Sequence, residues 1–92
     1  MTEAASREVT IINKLGLHAR AAAKFVTLAS RFQSDIRVAR DSREVNAKSI
    51  MGVMMLAAGR GTAIHIHATG EDAEEAVEQL QRLVLERFGE AE

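Results

Sequence analysis

The chain has 92 residues, a length that fits one domain, 1–92, with one core and little room for a deep, enclosed active site. Lys and Arg number 12 against 13 Asp and Glu, the net charge is -1, and the only aromatics are three Phe, a balance that argues against nucleic-acid binding. There is no Cys, no apolar run near the ~20 residues of a membrane span and no basic-then-apolar leader in MTEAASRE, so a soluble cytoplasmic protein without disulfides or membrane contact is expected.

Met1 to Ser6 is small and polar and is expected to fray. Arg7 to Asn13 is rich in β-branched residues and predicts a strand, with Val9 and Ile11 on its core face. Gly16 marks a turn. From Ala19 to Phe32 the period becomes helical, with Ala21, Ala22, Phe25, Leu28, Ala29 and Phe32 on one face. Asp35 to Arg40 alternates, Asp41 and Ser42 make a hairpin turn, and Arg43 to Asn46 returns as a short strand. Ser49 reads as the N-cap of a helix from Ile50 to Ala58, ended by Gly59 or Gly61 in the left-handed conformation. Thr62 to Thr69 alternates strictly, with Ile64, Ile66 and Ala68 inward and His65 and His67 outward. Asp72 and Glu75 predict a capping box for a last helix whose stripe is Ala73, Ala76, Val77, Leu80, Leu83, Val84 and Phe88. The order strand, helix, strand, strand, helix, strand, helix, with one apolar face per strand, predicts an α+β domain: a sheet covered by helices on one side.

Chemistry concentrates at Gly16-Leu17-His18-Ala19-Arg20. A histidine at a helix start lies beside N–H groups that have no intrahelical partner and beside the positive end of the dipole, an anion site. Neutral imidazole is a nucleophile, and Arg20 adds donors that match phosphate oxygens. Gly16 allows the sharp turn that exposes the ring. Positive surroundings would favour the neutral, nucleophilic ring. Spacing alone leaves two readings open: a phosphoryl acceptor, or a helix cap beside a solvated Arg20.

The segment NKLGLHARAAAKFV resembles the phosphorylation-site segment of the HPr family, the histidine phosphocarriers of the bacterial phosphotransferase system. NAKSIMGVMMLAA followed by GRGT resembles that family's second motif, and ATGEDAEEAVEQL its closing segment. The likeness runs from about Arg7 to Phe88, with NKLGLHARAAAKFV more similar to the nitrogen-branch carriers, NPr. One departure is Ala21, where many members have proline; alanine restores one N–H and keeps good helix propensity.

The resemblance implies an open-faced β-sandwich, a four-stranded antiparallel sheet with three helices on one face (βαββαβα). It implies that His18 takes a phosphoryl group on Nδ1 from enzyme I or its nitrogen-branch paralogue, with phosphoenolpyruvate as original donor, and passes it to an enzyme IIA domain. The protein would be a phosphohistidine carrier rather than a free-standing catalyst, a monomer without cofactor or metal. His18 and Arg20 would be the reacting pair, with Gly16, Ala19 and Arg20 around the phosphate. Ser49 matches the position that an HPr Ser kinase/phosphatase modifies in some members, beside the plain reading as an N-cap. The helix 50–58 is apolar nearly all round; Val53 and Leu56 are expected in the core, while Ile50, Met51, Met54 and Met55 are expected to form the exposed docking patch that the family uses.

The remaining histidines and basic residues carry less. His65 and His67 share a strand face without a third metal ligand in view and read as solvated, as do Lys24, Lys48 and the scattered Arg residues, with Lys48 a candidate for electrostatic docking. A non-transferring regulator of the same fold is the main rival, and it would be expected to lack His18.

Overall fold

The computed structural model describes residues 3–92. Four strands and three helices alternate as β1 (Ala4–Thr10), α1 (Ala19–Ala29), β2 (Asp35–Arg40), β3 (Arg43–Asn46), α2 (Ile50–Met55), β4 (Ala63–Thr69) and α3 (Ala73–Leu85), followed by a single 3-10 turn at Arg87–Gly89. The strands form one antiparallel sheet in the order β1-β4-β2-β3. Register is set by apolar alternation: Val9 pairs with Ile64, and Val38 lies between Ile66 on β4 and Val45 on β3. Ile36, Val38, Ile64 and Ile66 are fully buried under the helices, each worth roughly 1.5–3 kcal/mol of transfer free energy. The opposite sheet face is open and carries Glu8, His65, Arg37 and His67. This is the expected open-faced sandwich.

Several boundaries differ from the sequence expectation, each for a local reason. β1 starts at Ala4 and stops at Thr10, because Ala4 to Ser6 pair with Thr69 to His67. Ile11 stays buried beyond the strand end, bonded to Thr62 O at 2.9 Å; Met1 and Thr2 of the expected frayed stretch lie outside the described residues. α1 ends at Ala29 rather than Phe32: Ser30 N–H makes the last i→i−4 bond, to Val26 O, and the N–H groups of Arg31 and Phe32 turn instead to Leu28 O and Ala29 O, three residues back. Phe32 is buried from the turn that follows.

α2 is six residues long and ends before Ala58; the left-handed residue next to its end is Ala57 (φ +50°), and of the two expected glycines Gly61 (φ +88°) is left-handed, farther on, while Gly59 is not. Arginines secure that end. Arg40 donates to Leu56 O at 3.0 Å and Ala57 O at 2.8 Å, and Arg43 donates to Met55 O at 2.7 Å. Cations thus meet carbonyls that a helix end leaves unpaired, so these arginines are not merely solvated. The expected Asp72–Glu75 capping box is absent. Asp72 instead accepts from Gln33 N (2.9 Å), Ser34 N (3.0 Å) and Ser34 Oγ (2.5 Å), tying the loop after α1 to the start of α3, while Glu75 accepts from Gln79. Among the described residues no helix is long and apolar enough to cross a membrane.

Candidate functional site

His18 is the N-cap of α1, with extended backbone (φ -71°, ψ 177°) and no side-chain capping bond. His18 thus holds the cap position through its backbone, while its ring plays no part in capping. The first N–H to return to the helix is that of Ala22, on His18 O at 2.8 Å, so the N–H groups of Ala19, Arg20 and Ala21 precede the ladder. A depression of about 760 Å³ lies at this end of the helix, lined by residues that include Lys14, Leu15, His18, Ala19, Arg20 and Glu90. Arg20 is exposed on its wall. Three of the expected residues are thus brought together: His18, Ala19 and Arg20.

Gly16 acts differently from the expectation. Its N–H is committed to Asn13 O at 3.2 Å, so it offers no donor to an anion. It is left-handed (φ +66°), and a Cβ there would lie 2.6 Å from Ala58 O. Leu17 N–H donates to that same Ala58 O at 2.9 Å. Gly16 therefore lets the His18 loop seat directly on the chain that leaves α2.

A carboxylate that sequence reasoning missed completes the site. Glu90 Oε2 lies 2.5 Å from His18 Nε2, and Glu90 Oε1 accepts from Asn13 Nδ2 at 3.0 Å. The side chains of His18 and Glu90 are 28% and 16% exposed, so the pair is partly shielded from water. Bonding from His18, then from Asn13, with a smaller contribution from the Lys24 charge, holds the Glu90 carboxyl below its ordinary value of 4.5. Glu90 is therefore ionised at neutral pH and can only accept, which puts a proton on His18 Nε2; of the two neutral tautomers it selects the one with the lone pair on Nδ1. The expectation of positive surroundings for His18 is corrected on this point: a carboxylate lies against the ring. No period or motif marks Glu90; the only signal was an acidic residue close to the chain's closing glycine.

The segment carrying Glu90 is anchored on both sides. Phe88 is fully buried, and Lys24 Nζ donates to Phe88 O at 2.7 Å. Lys14 N–H donates to Glu92 O at 2.6 Å. Lys24 is thus exposed, as expected, but also a tether, and half-buried Lys48 is another, its Nζ donating to Phe32 O at 2.7 Å. Asn13, also missed, is fully buried and donates through Nδ2 to Gly16 O (2.8 Å) as well as to Glu90.

The other expected positions lie apart from the ring. Ser49 is the N-cap of α2, its Oγ accepting from Gly52 N at 3.1 Å. Val53 and Leu56 are buried, while Ile50 (41% exposed), Met51 (69%), Met54 (41%) and Met55 (59%) face outward. Leu15, 65% exposed, adds an apolar side chain from the His18 loop. On the open sheet face His67 Nδ1 meets Ser6 Oγ at 2.6 Å and His65 lies 3.2 Å from Glu8.

Comparison with known proteins places this arrangement. A family model for the "PTS HPr component phosphorylation site" matches residues 5–86. Phosphocarrier protein HPr of Cupriavidus necator is 55% identical over 86 residues, covering 94% of this chain and 97% of that protein. Phosphocarrier protein NPr of Shewanella violacea is 44% identical over 85 residues, 92% of this chain and 93% of that protein. The crystal structure of HPr-C-His from Thermoanaerobacter tengcongensis superposes with a TM-score of 0.92 at 46% identity, covering 96% of this chain and 99% of that one. The chain belongs to the HPr family, the phosphocarriers of the phosphotransferase system.

Proposed function

We propose that His18 is the residue that carries the phosphoryl group and that Nδ1 is the atom that binds it. The supporting observation is the ring's position: N-cap of α1, without a capping bond, its Nε2 engaged by Glu90 and its neighbours the leading N–H groups of a helix. Phosphoryl transfer asks little more of a protein than positioning and charge stabilisation. The Nδ1 lone pair attacks phosphorus as the bond to the donor breaks and the donor keeps that electron pair. The Arg20 guanidinium and the N–H groups of Ala19 and Arg20 then face the phosphate oxygens. Onward transfer reverses the step, returning the electron pair of the N–P bond to Nδ1.

The partners proposed are enzyme I or its nitrogen-branch paralogue as donor, with phosphoenolpyruvate as original source, and an enzyme IIA domain as acceptor. Both would dock on the exposed apolar side chains of Ile50, Met51, Met54, Met55 and Leu15, an adaptable kind of surface. The protein acts in the cytoplasm as a single-domain monomer. Transfer from the phosphorylated chain to a nitrogen-branch or a sugar-branch enzyme IIA, compared side by side, assigns the branch. Ser49 is proposed as a regulatory phosphorylation site: a phosphate there puts charge at the edge of the docking helix, which hinders binding. Mass spectrometry of protein from its host checks that point, and a Ser49 never modified would remove it.

The carrier role is tested with enzyme I and phosphoenolpyruvate. Wild-type chain takes up acid-labile phosphate and His18→Ala takes up none; uptake by His18→Ala overturns the assignment.

A further inference from the structure

Glu90 reaches His18 across 72 positions of sequence and is gripped from three directions. Asn13, fully buried, holds Oε1 at 3.0 Å; Phe88, fully buried, anchors the backbone two residues earlier; and Lys14 N–H binds Glu92 O two residues later. A carboxylate fixed so firmly and only 16% exposed is not a passing surface contact. Its Oε2 sits 2.5 Å from Nε2, the nitrogen that does not react in the reading above.

We infer that Glu90 is a positioning residue for His18: it keeps the proton on Nε2, so that Nδ1 holds the lone pair, and it balances the positive charge the ring acquires when Nδ1 is phosphorylated. This deepens the carrier reading and rests on it. A neutral ring with Nε2–H forms the Nδ1–P bond while the donor's bond to phosphorus breaks. No proton leaves, so the ring becomes a cation, and a carboxylate on Nε2–H stabilises it. The cationic ring is also the better leaving group when the phosphoryl group moves on. The logic is that of a carboxylate behind a catalytic imidazole, which fixes the tautomer and stabilises the imidazolium without taking its proton. The other charged groups facing the pair are Lys14, Arg20, Lys24 and Glu92. The Lys24 charge favours the ionised carboxylate, and Glu92 is paired with Lys14 at 3.5 Å.

Two variants separate the two roles. Glu90→Gln keeps an acceptor but loses the charge; Glu90→Ala loses both. Nitrogen-15 NMR of the His18 ring in the unphosphorylated full chain, at a pH where the ring is neutral, reads the tautomer without any partner. Nε2–H is expected to dominate in wild type and in Glu90→Gln, with the Nδ1–H form rising several-fold in Glu90→Ala. After phosphorylation, the pH at which the phosphorylated ring loses Nε2–H is expected to fall in both variants. Turnover with enzyme I is expected to fall about tenfold, with KM changed less than about twofold. An unchanged tautomer ratio in Glu90→Ala, or an unchanged ring titration in both variants, overturns the inference. Amide spectra establish that each variant is folded, and Glu90→Gln, which preserves shape, decides the charge question if Glu90→Ala is not. Phosphate uptake by His18→Ala would instead sink the carrier reading and leave the tautomer result standing, so the two failures are distinguishable.

Discussion

Substituting alanine at three glycines separates backbone strain from steric overlap at the junction between the His18 loop and the end of α2. Gly59 has no left-handed φ, and an added Cβ there meets nothing within 4 Å. Gly59→Ala should be neutral or stabilise by up to about 1 kcal/mol, through the unfolded chain. Gly61 is left-handed (φ +88°) in open space, so Gly61→Ala should cost about 1–2 kcal/mol of backbone strain alone. Gly16 (φ +66°) carries that strain and a clash as well, 2.6 Å to Ala58 O and 2.8 Å to Gly59 Cα. Both are backbone atoms, so no rotamer change relieves the overlap. Separating the two segments also weakens the Leu17 N–H bond to Ala58 O, worth roughly 1 kcal/mol. Strain and the weakened bond together come to about 2–3 kcal/mol for Gly16→Ala, with the overlap adding to that, a large share of the 5–14 kcal/mol or so expected for a domain of this length. Urea denaturation of the three variants at neutral pH, with unchanged m-values, measures the series. A loss at Gly16 no larger than at Gly61 would refute the close seating of the two segments.

Other consequences are as direct. The Asp72 carboxyl is held below its ordinary value of 3.8, first by the Ser34 hydroxyl and then by the Gln33 N–H. A carboxyl depressed on folding contributes stability that is complete above its unfolded value and lost as pH falls through its folded one. Asp72→Asn should therefore flatten the loss of stability below about pH 4 and lower stability at pH 7, as seen in urea midpoints across that range. Met51→Glu, at a side chain 69% exposed, should change folding stability by less than about 0.5 kcal/mol yet raise KM for enzyme I about tenfold; unchanged transfer kinetics would remove Met51 from the docking surface. Ser49→Ala deletes the bond to Gly52 N–H and should cost about 1 kcal/mol in a urea melt.

What could be read from the chain follows the range of the interactions. The hairpin Asp35–Arg40 to Arg43–Asn46, the alternation of β4 and the start of α1 at Ala19 are local patterns, and they stand where periodicity put them. The ends of α1 and α2 shifted because bonds formed that periodicity does not encode: the N–H groups of Arg31 and Phe32 tightening onto Leu28 O and Ala29 O, and Arg40 and Arg43 crossing to the carbonyls at the end of α2. Asp72 shows the same limit. A residue with the right spacing for a capping box found three donors on another loop, and those outweighed the local bond. At the candidate site His18, Ala19 and Arg20 were legible because they share one short segment. Glu90 and Asn13 were not, since a contact spanning 72 positions leaves no mark in any local window.

The position of that missed carboxylate bears on how so small a chain can hold a reactive histidine. A helix N-terminus alone supplies donors for an anion but nothing to choose which ring nitrogen reacts. In the reading proposed above the choice comes from the far end of the sequence, where Phe88 is buried in the core and Glu90 meets the ring two residues later. Core packing and site geometry are therefore coupled through one anchor. Truncating Phe88 to alanine should cost about 3–5 kcal/mol as a cavity, and it should also free the Lys24 tether and loosen Glu90 from His18. At low denaturant, where the variant remains folded, its His18 ring should show the same rise in the Nδ1–H tautomer as Glu90→Ala. A Phe88→Ala chain with lowered stability but a wild-type tautomer ratio would mean that Asn13 and Lys14 suffice to hold Glu90, and that the coupling to the core is absent.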